Sequence, residues 1–323
     1  MGKLHISSTP HIHQKGSSTK NIMLDVIIAL IPASIVGIVI FGFKALFIIL
    51  ACVGTSVLAE YLFNLCVRKK QTIGDLSAVV TGLLLALNLS IEVPIWQCIV
   101  GSVFAIVVVK GFFGGLGKNI VNPAIAARVL MLLTFGAVGA VVNPNPLFNL
   151  EFLGNAAELT ASATPLASLN QGVASVGETP SVLQLFLGVH GGTIGETCAW
   201  ALLIGFGYLV IRKVIKWYVP ATYVATVFVC YFLFGGFNFV YALKHVLAGG
   251  LLLGAIFMAT DYVTTPNTGL GRIVFCIGAG VLTVLIRSFG MYPEGVSIAI
   301  LTMNLLTPFI VDFTKKKTLG GVK

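Results

Sequence analysis

Runs of roughly 20 apolar residues follow one another along most of this chain, and that feature confines its fold more than any other. A helix needs about that length to cross the ~30 Å hydrocarbon layer of a bilayer. Lipid offers no hydrogen bonds, so each backbone N–H and C=O in such a run has to be satisfied within the helix. The predicted spans are 22–41, 45–65, 73–91, 93–110, 122–140, 197–211, 218–235, 241–260, 271–288 and 295–313. Hydrophobic residues make up 57% of the chain and charged residues only 10%, which excludes an ordinary water-soluble fold. The expected fold class is all-α, a polytopic membrane protein of about ten transmembrane helices.

An even number of crossings places both termini on one side. When the spans are threaded alternately across the bilayer, only Lys44, Lys244 and Arg287 of the 20 basic residues fall opposite the N-terminus. Basic residues concentrate on the cytoplasmic side, so both ends are expected there. The net charge of +9 is then a topology signal and needs no nucleic-acid partner. Residues 1–21 are too polar to be a signal peptide and read as a cytoplasmic tail, as do residues 314–323. His5, His11 and His13 lack a nearby carboxylate or Cys, so the tail does not read as a metal site. The six Cys residues lie in apolar surroundings without a CxxC pair, and read as core residues rather than disulfides or cluster ligands.

The chain is expected to form a single membrane domain, residues 1–323, divided by one long polar segment. Residues 22–140 supply a first set of five helices, 141–196 the loop and 197–313 a second set. Five is odd, so the second set enters the membrane from the other side, the geometry of an inverted repeat. The link "GFFGGLGKNIVNPA" has a weak echo in "SFGMYPEGVSIA". Spans 73–91 and 241–260 both carry Gly and end in turn residues. They read either as interrupted helices facing a cavity or as helices packed closely through glycine.

Between Arg128 and Arg212 there is no Lys or Arg, whereas Glu151, Glu158, Glu178 and Glu196 are present, and threading puts this loop outside the cell. Within it, "SATP" sets Ser162, Ala163, Thr164 and Pro165 in a row. The bland reading is a helix begun by Pro165 and capped by Thr164. In the sharper reading, the Thr164 hydroxyl carries a phosphoester-linked cofactor. A non-covalent phosphate usually needs a cation or a free helix N-terminus, and a covalent tether removes that need in a loop without basic residues. "GFFGGLGKN" lacks G-x-G-x-x-G and a βαβ context, so it is not a dinucleotide site. Asn119 and Asn122, three apart at the start of the fifth span, are expected to share one helix face and to offer amide donors and acceptors. Asp261 falls on the same side by threading. Asp25, Glu60 and Asp75 lie near span ends where carboxylates reach water, and are candidates for an ion path.

Taken together, "GGLGKNIVNPA", "FMATDYVTTPNTGLGR", "FGMYPEGVSIAILTMNLLTP" and "SATPL" carry a resemblance that covers nearly the full length. The chain resembles the D subunit of the Rnf electron-transport complexes and, more distantly, the B subunit of the sodium-pumping NADH:quinone oxidoreductase. The resemblance implies covalent FMN, attached by a flavin transferase through its phosphate to the Thr of a motif written roughly D-G-x-[ST]-[GS]-A-T. On this chain the acceptor is Thr164, after Ser162 and Ala163. Glu158, Leu159 and Ala161 depart from the motif, which bears on recognition by the transferase more than on the acceptor. The resemblance further implies riboflavin near Asn119, Asn122 and Asp261.

It also implies partner subunits that pass electrons between ferredoxin and NAD, coupled to sodium or proton movement. Two flavins on opposite sides need such a partner, because the hydrocarbon layer of ~30 Å lies between them. The chain's own role is then to hold the flavin, and no general acid, base or nucleophile is nominated. Two other readings stay open: a secondary transporter or channel of inverted-repeat architecture, and a scaffold subunit that has lost its flavin.

Overall fold

The computed structural model describes residues 18–135, 165–169, 179–188, 190–290 and 295–315. The described residues are helical throughout, apart from turns and one isolated bridge at Gly192. Helix α1 (Thr19–Phe41) begins where the Ser18 side chain accepts the Asn21 N–H, and ends at Gly42, whose φ of +75° turns the chain directly into α2 (Phe43–Cys66). A single turn at Ile73–Asp75 leads to α3 (Ser77–Leu87). Helix α4 (Ile95–Val103) widens into a π-helical stretch, Phe104–Gly111, and α5 runs from Pro123 to Phe135. Two short helices, α6 (Pro165–Leu169) and α7 (Val182–Leu187), belong to the long central segment, with Ser181 and Gln184 forming a capping box on α7. The second half holds α8 (Ala199–Ile211), α9 (Tyr218–Phe234), α10 (Phe239–Leu247), α11 (Leu251–Leu253) continued by a π-helical stretch to Met258, α12 (Gly269–Phe289) and α13 (Val296–Thr314).

Four of these helices, α1, α2, α12 and α13, are long and apolar enough to cross a membrane alone, and α10 with α11 forms a fifth span bent by 67°. The others are apolar but shorter than a full span. Hydropathy predicts continuous spans at 73–91 and 241–260, and both are interrupted. Helix α3 stops at Leu87, where the Leu87 and Leu89 carbonyls accept the N–H groups of Gly195 and Ile194 at 2.8 and 3.1 Å. The second break follows Leu247, and the Arg287 guanidinium donates to the freed carbonyls of His245 (2.8 Å) and Ala248 (3.3 Å). Backbone exposed by a broken helix is tolerated at membrane depth only when protein groups satisfy it, and here they do.

Helix packing rests on small residues, since lipid gives apolar side chains no reason to prefer a neighbouring helix. On α1, Ala29, Ala33 and Gly37 recur every fourth residue and form one buried face. Gly205 of α8 meets it so closely that a Cβ there would stand 2.2 Å from the Ala29 carbonyl oxygen. Gly205→Val is therefore expected to push α8 off α1 and to destabilise by about 1–3 kcal/mol, seen as an earlier thermal unfolding in detergent. Gly207→Ala is the control, because a Cβ at Gly207 meets nothing within 4 Å. Across the molecule α1 packs on α8 and α5 on α13, while α2 and α9 hold corresponding places against α3 with α4 and against α10 with α12.

The cysteines fit this packing with one correction. Cys52, Cys98, Cys198 and Cys276 are buried and Cys230 is half-buried, but Cys66 is exposed, because α2 has left the bundle by its last residue.

Candidate functional site

The end of the bundle where α1 begins also gathers the start of α3, the ends of both π-helical stretches, the start of α5 and the end of α8. Residues from all of these line one cavity, among them Met23, Ser77, Lys110, Leu209 and Phe257. Asn119, Asn122 and Asp261 line it too, so the three residues singled out from sequence converge on one space. They do so by a route other than the expected one. Helix α5 begins only at Pro123, so Asn119 lies in the preceding loop and shares no helix face with Asn122.

Asn122 caps α5 instead: its Oδ1 accepts the N–H groups of Ala124 at 3.0 Å and Ile125 at 3.4 Å. Asn304 of α13, with its amide turned to suit both ends, accepts from the Asn122 N–H and donates to the Thr264 carbonyl, each at 3.2 Å. Asp261 organises the loop after the second π-helical stretch. Its Oδ1 accepts the Val263 N–H at 3.3 Å and its Oδ2 the Thr264 hydroxyl at 3.1 Å. Burial pushes the Asp261 carboxyl above the ordinary carboxylate range, although these two bonds pull the other way.

Asn119 differs from both. It is buried, and its Oδ1 has no hydrogen-bond partner among the described residues. An orphaned acceptor of this kind is costly unless a ligand donates to it. Apolar walls with a few converging polar groups suit a flat amphipathic ring, and the Asn119 oxygen fits a ring N–H such as that of a flavin. The cavity measures about 90 Å³. That is below the roughly 300 Å³ at which small-molecule pockets begin, so a tricyclic ring enters only if side chains such as Tyr262 turn aside.

Lys110 does not stand out in the sequence, because at the end of a span it reads as one more topological charge. In the fold it is buried, donating to Glu60 Oε1 at 2.8 Å and Ser77 Oγ at 2.6 Å. The expected access of the acidic residues to water is likewise corrected for two of them. Glu60 is enclosed by Lys110 and the Thr72 hydroxyl. Asp25 is buried beneath Tyr208 and Arg212, which donate to it at 2.9 and 3.2 Å. Asp75 is half-buried and accepts the Ser77 N–H at 2.8 Å.

At the opposite end, parts of the central segment pack onto the bundle. Leu166 and Leu169 of α6 are buried, and the Tyr241 hydroxyl of α10 reaches the Leu169 carbonyl at 3.5 Å. Lys244 donates to the Thr179 hydroxyl at 2.8 Å. Thr164 lies outside the described residues, immediately before Pro165, the first residue of α6.

Comparison with known proteins adds a lineage to this geometry. The profile of the NQR2, RnfD, RnfE family matches residues 5–320. The D subunit of the Na(+)-translocating ferredoxin:NAD(+) oxidoreductase complex of Acetobacterium woodii is 45% identical over 322 residues, which is 99% of this chain and 96% of that protein. The D subunit of the proton-translocating ferredoxin:NAD(+) oxidoreductase complex of Clostridium ljungdahlii is 38% identical, covering 98% and 96%. The D subunit of an ion-translocating oxidoreductase complex of Stutzerimonas stutzeri is 35% identical, covering 94% and 93%.

Proposed function

The chain belongs to the NQR2, RnfD, RnfE family, and on that premise we propose that it is the flavin-bearing membrane subunit of an ion-translocating ferredoxin:NAD oxidoreductase complex of the Rnf type. It carries FMN esterified to Thr164 on the extracytoplasmic side, and riboflavin in the cavity at the cytoplasmic end beside Asn119, Asn122 and Asp261. The observation that carries this reading is the near full-length likeness to D subunits whose names state that activity. The clustering of Arg212, Lys213, Lys216 and Arg272 at the end where α1 begins supports a cytoplasmic N-terminus. Packing of α1 on α8 and of α5 on α13, equivalent helices of the two halves, supports two inverted five-helix repeats within about ten crossings.

The residues toward each flavin have separate tasks. Leu166 and Leu169 anchor the segment that follows the acceptor, which limits how far a group on Thr164 can stray from the bundle. Asn119 offers the inner ring an acceptor, and Asn122 and Asp261 fix the loops around it. A bound flavin supplies the electron chemistry, and the protein supplies position. Other subunits of the complex relay electrons across the intervening hydrocarbon and couple them to sodium or protons, and a flavin transferase makes the ester bond.

Cleavage after Glu158 and Glu178 releases a peptide, residues 159–178, that holds Thr164. Mass spectrometry of this peptide from cells containing the transferase should show it heavier by one FMN less one water. Finding it only at its bare mass would favour the transporter reading, to which the bent α10–α11 pair also belongs. The inner site has its own test. Asn119→Ala removes one hydrogen bond to the ring and should lower non-covalent riboflavin per protein roughly tenfold, read by chromatography of the acid extract. Unchanged extractable riboflavin would remove Asn119 from the site.

A further inference from the structure

Where α8 ends and α9 and α12 begin, a second cavity of about 240 Å³ opens beside the first and shares Val214, Ile215, Thr260 and Tyr262 with it. Its character is different. Lys213, Lys216 and Arg272 all line it, together with Asn267 just before the N-cap of α12. Lys213 closes α8 in the left-handed conformation, φ +59°, and the turn it makes brings Lys216 round to the same cavity. Arg272 is fixed by donation from its Nε to the Pro266 carbonyl at 3.0 Å. The start of α12, a 21-residue helix, adds the positive end of its dipole.

The surroundings of these cations name the kind of anion they receive. Ile211, Trp217 and Leu270 flank them in sequence and are exposed by 80%, 63% and 65%. These are lipid-facing side chains at the end of the bundle, and an exposed Trp at that level is characteristic of the membrane interface. A cluster of cations opening beside an apolar, lipid-facing surface matches an amphiphile with an anionic head and hydrocarbon chains. We infer that this cavity is a binding site for the phosphate of an anionic phospholipid, held by Lys213, Lys216 and Arg272, with its acyl chains against Ile211, Trp217 and Leu270. A basic pocket between helices at the membrane surface is the usual form of such a site. The lipid head thereby closes the side of the inner cavity bounded by Tyr262 and Thr260.

Full-length protein in phosphatidylcholine nanodiscs containing phosphatidylglycerol as the minor lipid provides the test, with retained phosphatidylglycerol counted by native mass spectrometry. Each cation beside an anionic headgroup is worth about fivefold in affinity, so Lys213→Gln with Lys216→Gln should lower retention roughly 25-fold. Neither lysine makes a hydrogen bond to another side chain among the described residues, so this pair spares the fold, and Arg272→Gln added to it should lower retention further. Lys69→Gln with Lys70→Gln, a basic pair at the same end of the bundle, should leave it unchanged. Equal losses from both pairs would mean diffuse surface charge and overturn the site, as would a Lys213/Lys216 variant that keeps its lipid. Inorganic phosphate displacing the lipid at comparable concentration would overturn the lipid assignment and give the cavity to a soluble anion instead.

Discussion

Thr164→Ala is expected to abolish flavin fluorescence from the denatured protein band, an all-or-none change where the other variants shift an equilibrium. Denaturation strips non-covalent flavin, so whatever fluoresces afterwards is tethered. A phosphoester needs a hydroxyl, and Ala has none. Thr160, Ser162 and Ser168 stand within a few residues and test whether the linkage is selective. Their alanine variants should stay bright, and Thr164→Ser should restore part of the signal because it returns the oxygen. The fold is not at stake, since α6 is held through Leu166 and Leu169 rather than through residue 164. A wild-type band that stays dark with the transferase co-expressed would indicate a transporter or scaffold. A Thr164→Ala band as bright as wild type would move the flavin to another residue.

Hydropathy reads the long helices well, for a simple reason: a span facing lipid on one side and helices on the other is apolar all round. The expected limits 22–41, 45–65, 271–288 and 295–313 lie within a few residues of α1, α2, α12 and α13. The same signal misjudges the length of the third span, because apolarity does not report which backbone groups are paired. "TGLLLALNLS" is as apolar as a continuous helix, and it stops at Leu87 because a distant segment, Ile194 and Gly195, takes its last carbonyls. No local pattern announces that.

The cavity is legible only in part. Asn119, Asn122 and Asp261 come forward as amides and a carboxylate at span ends and from family likeness, while the helix face expected for the two asparagines does not exist. Ser77, Thr260 and Lys110 stay hidden, because their place at the cavity depends on how α3, the π-helical stretches and α5 meet. The π-helical stretches leave a faint trace at most, "FAIVVVKG" being as compatible with an ordinary helix.

Lys110→Met is expected to be the most destabilising of the single substitutions considered. The Lys110 ammonium and the Glu60 carboxylate are 2.8 Å apart, with side chains only 4% and 5% exposed. Removing one partner of such a pair strands the other charge in a poorly solvated place, at a cost of about 3–5 kcal/mol. Glu60 is especially dependent, because its Oε1 takes both Lys110 and Thr72 while its Oε2 has no partner among the described residues. Thermal unfolding of the purified protein measures the loss, and a variant melting with wild type would show that the pair is effectively solvated. Glu60→Leu combined with Lys110→Met removes both charges and should recover most of the stability, so the two changes together cost far less than their sum. The same double variant separates structure from transport. If the pair serves only the fold, the complex containing it regains ion translocation along with its stability. Should Glu60 instead lie on the ion path, stability returns while translocation stays lost, because no apolar side chain replaces a carboxylate as an ion ligand.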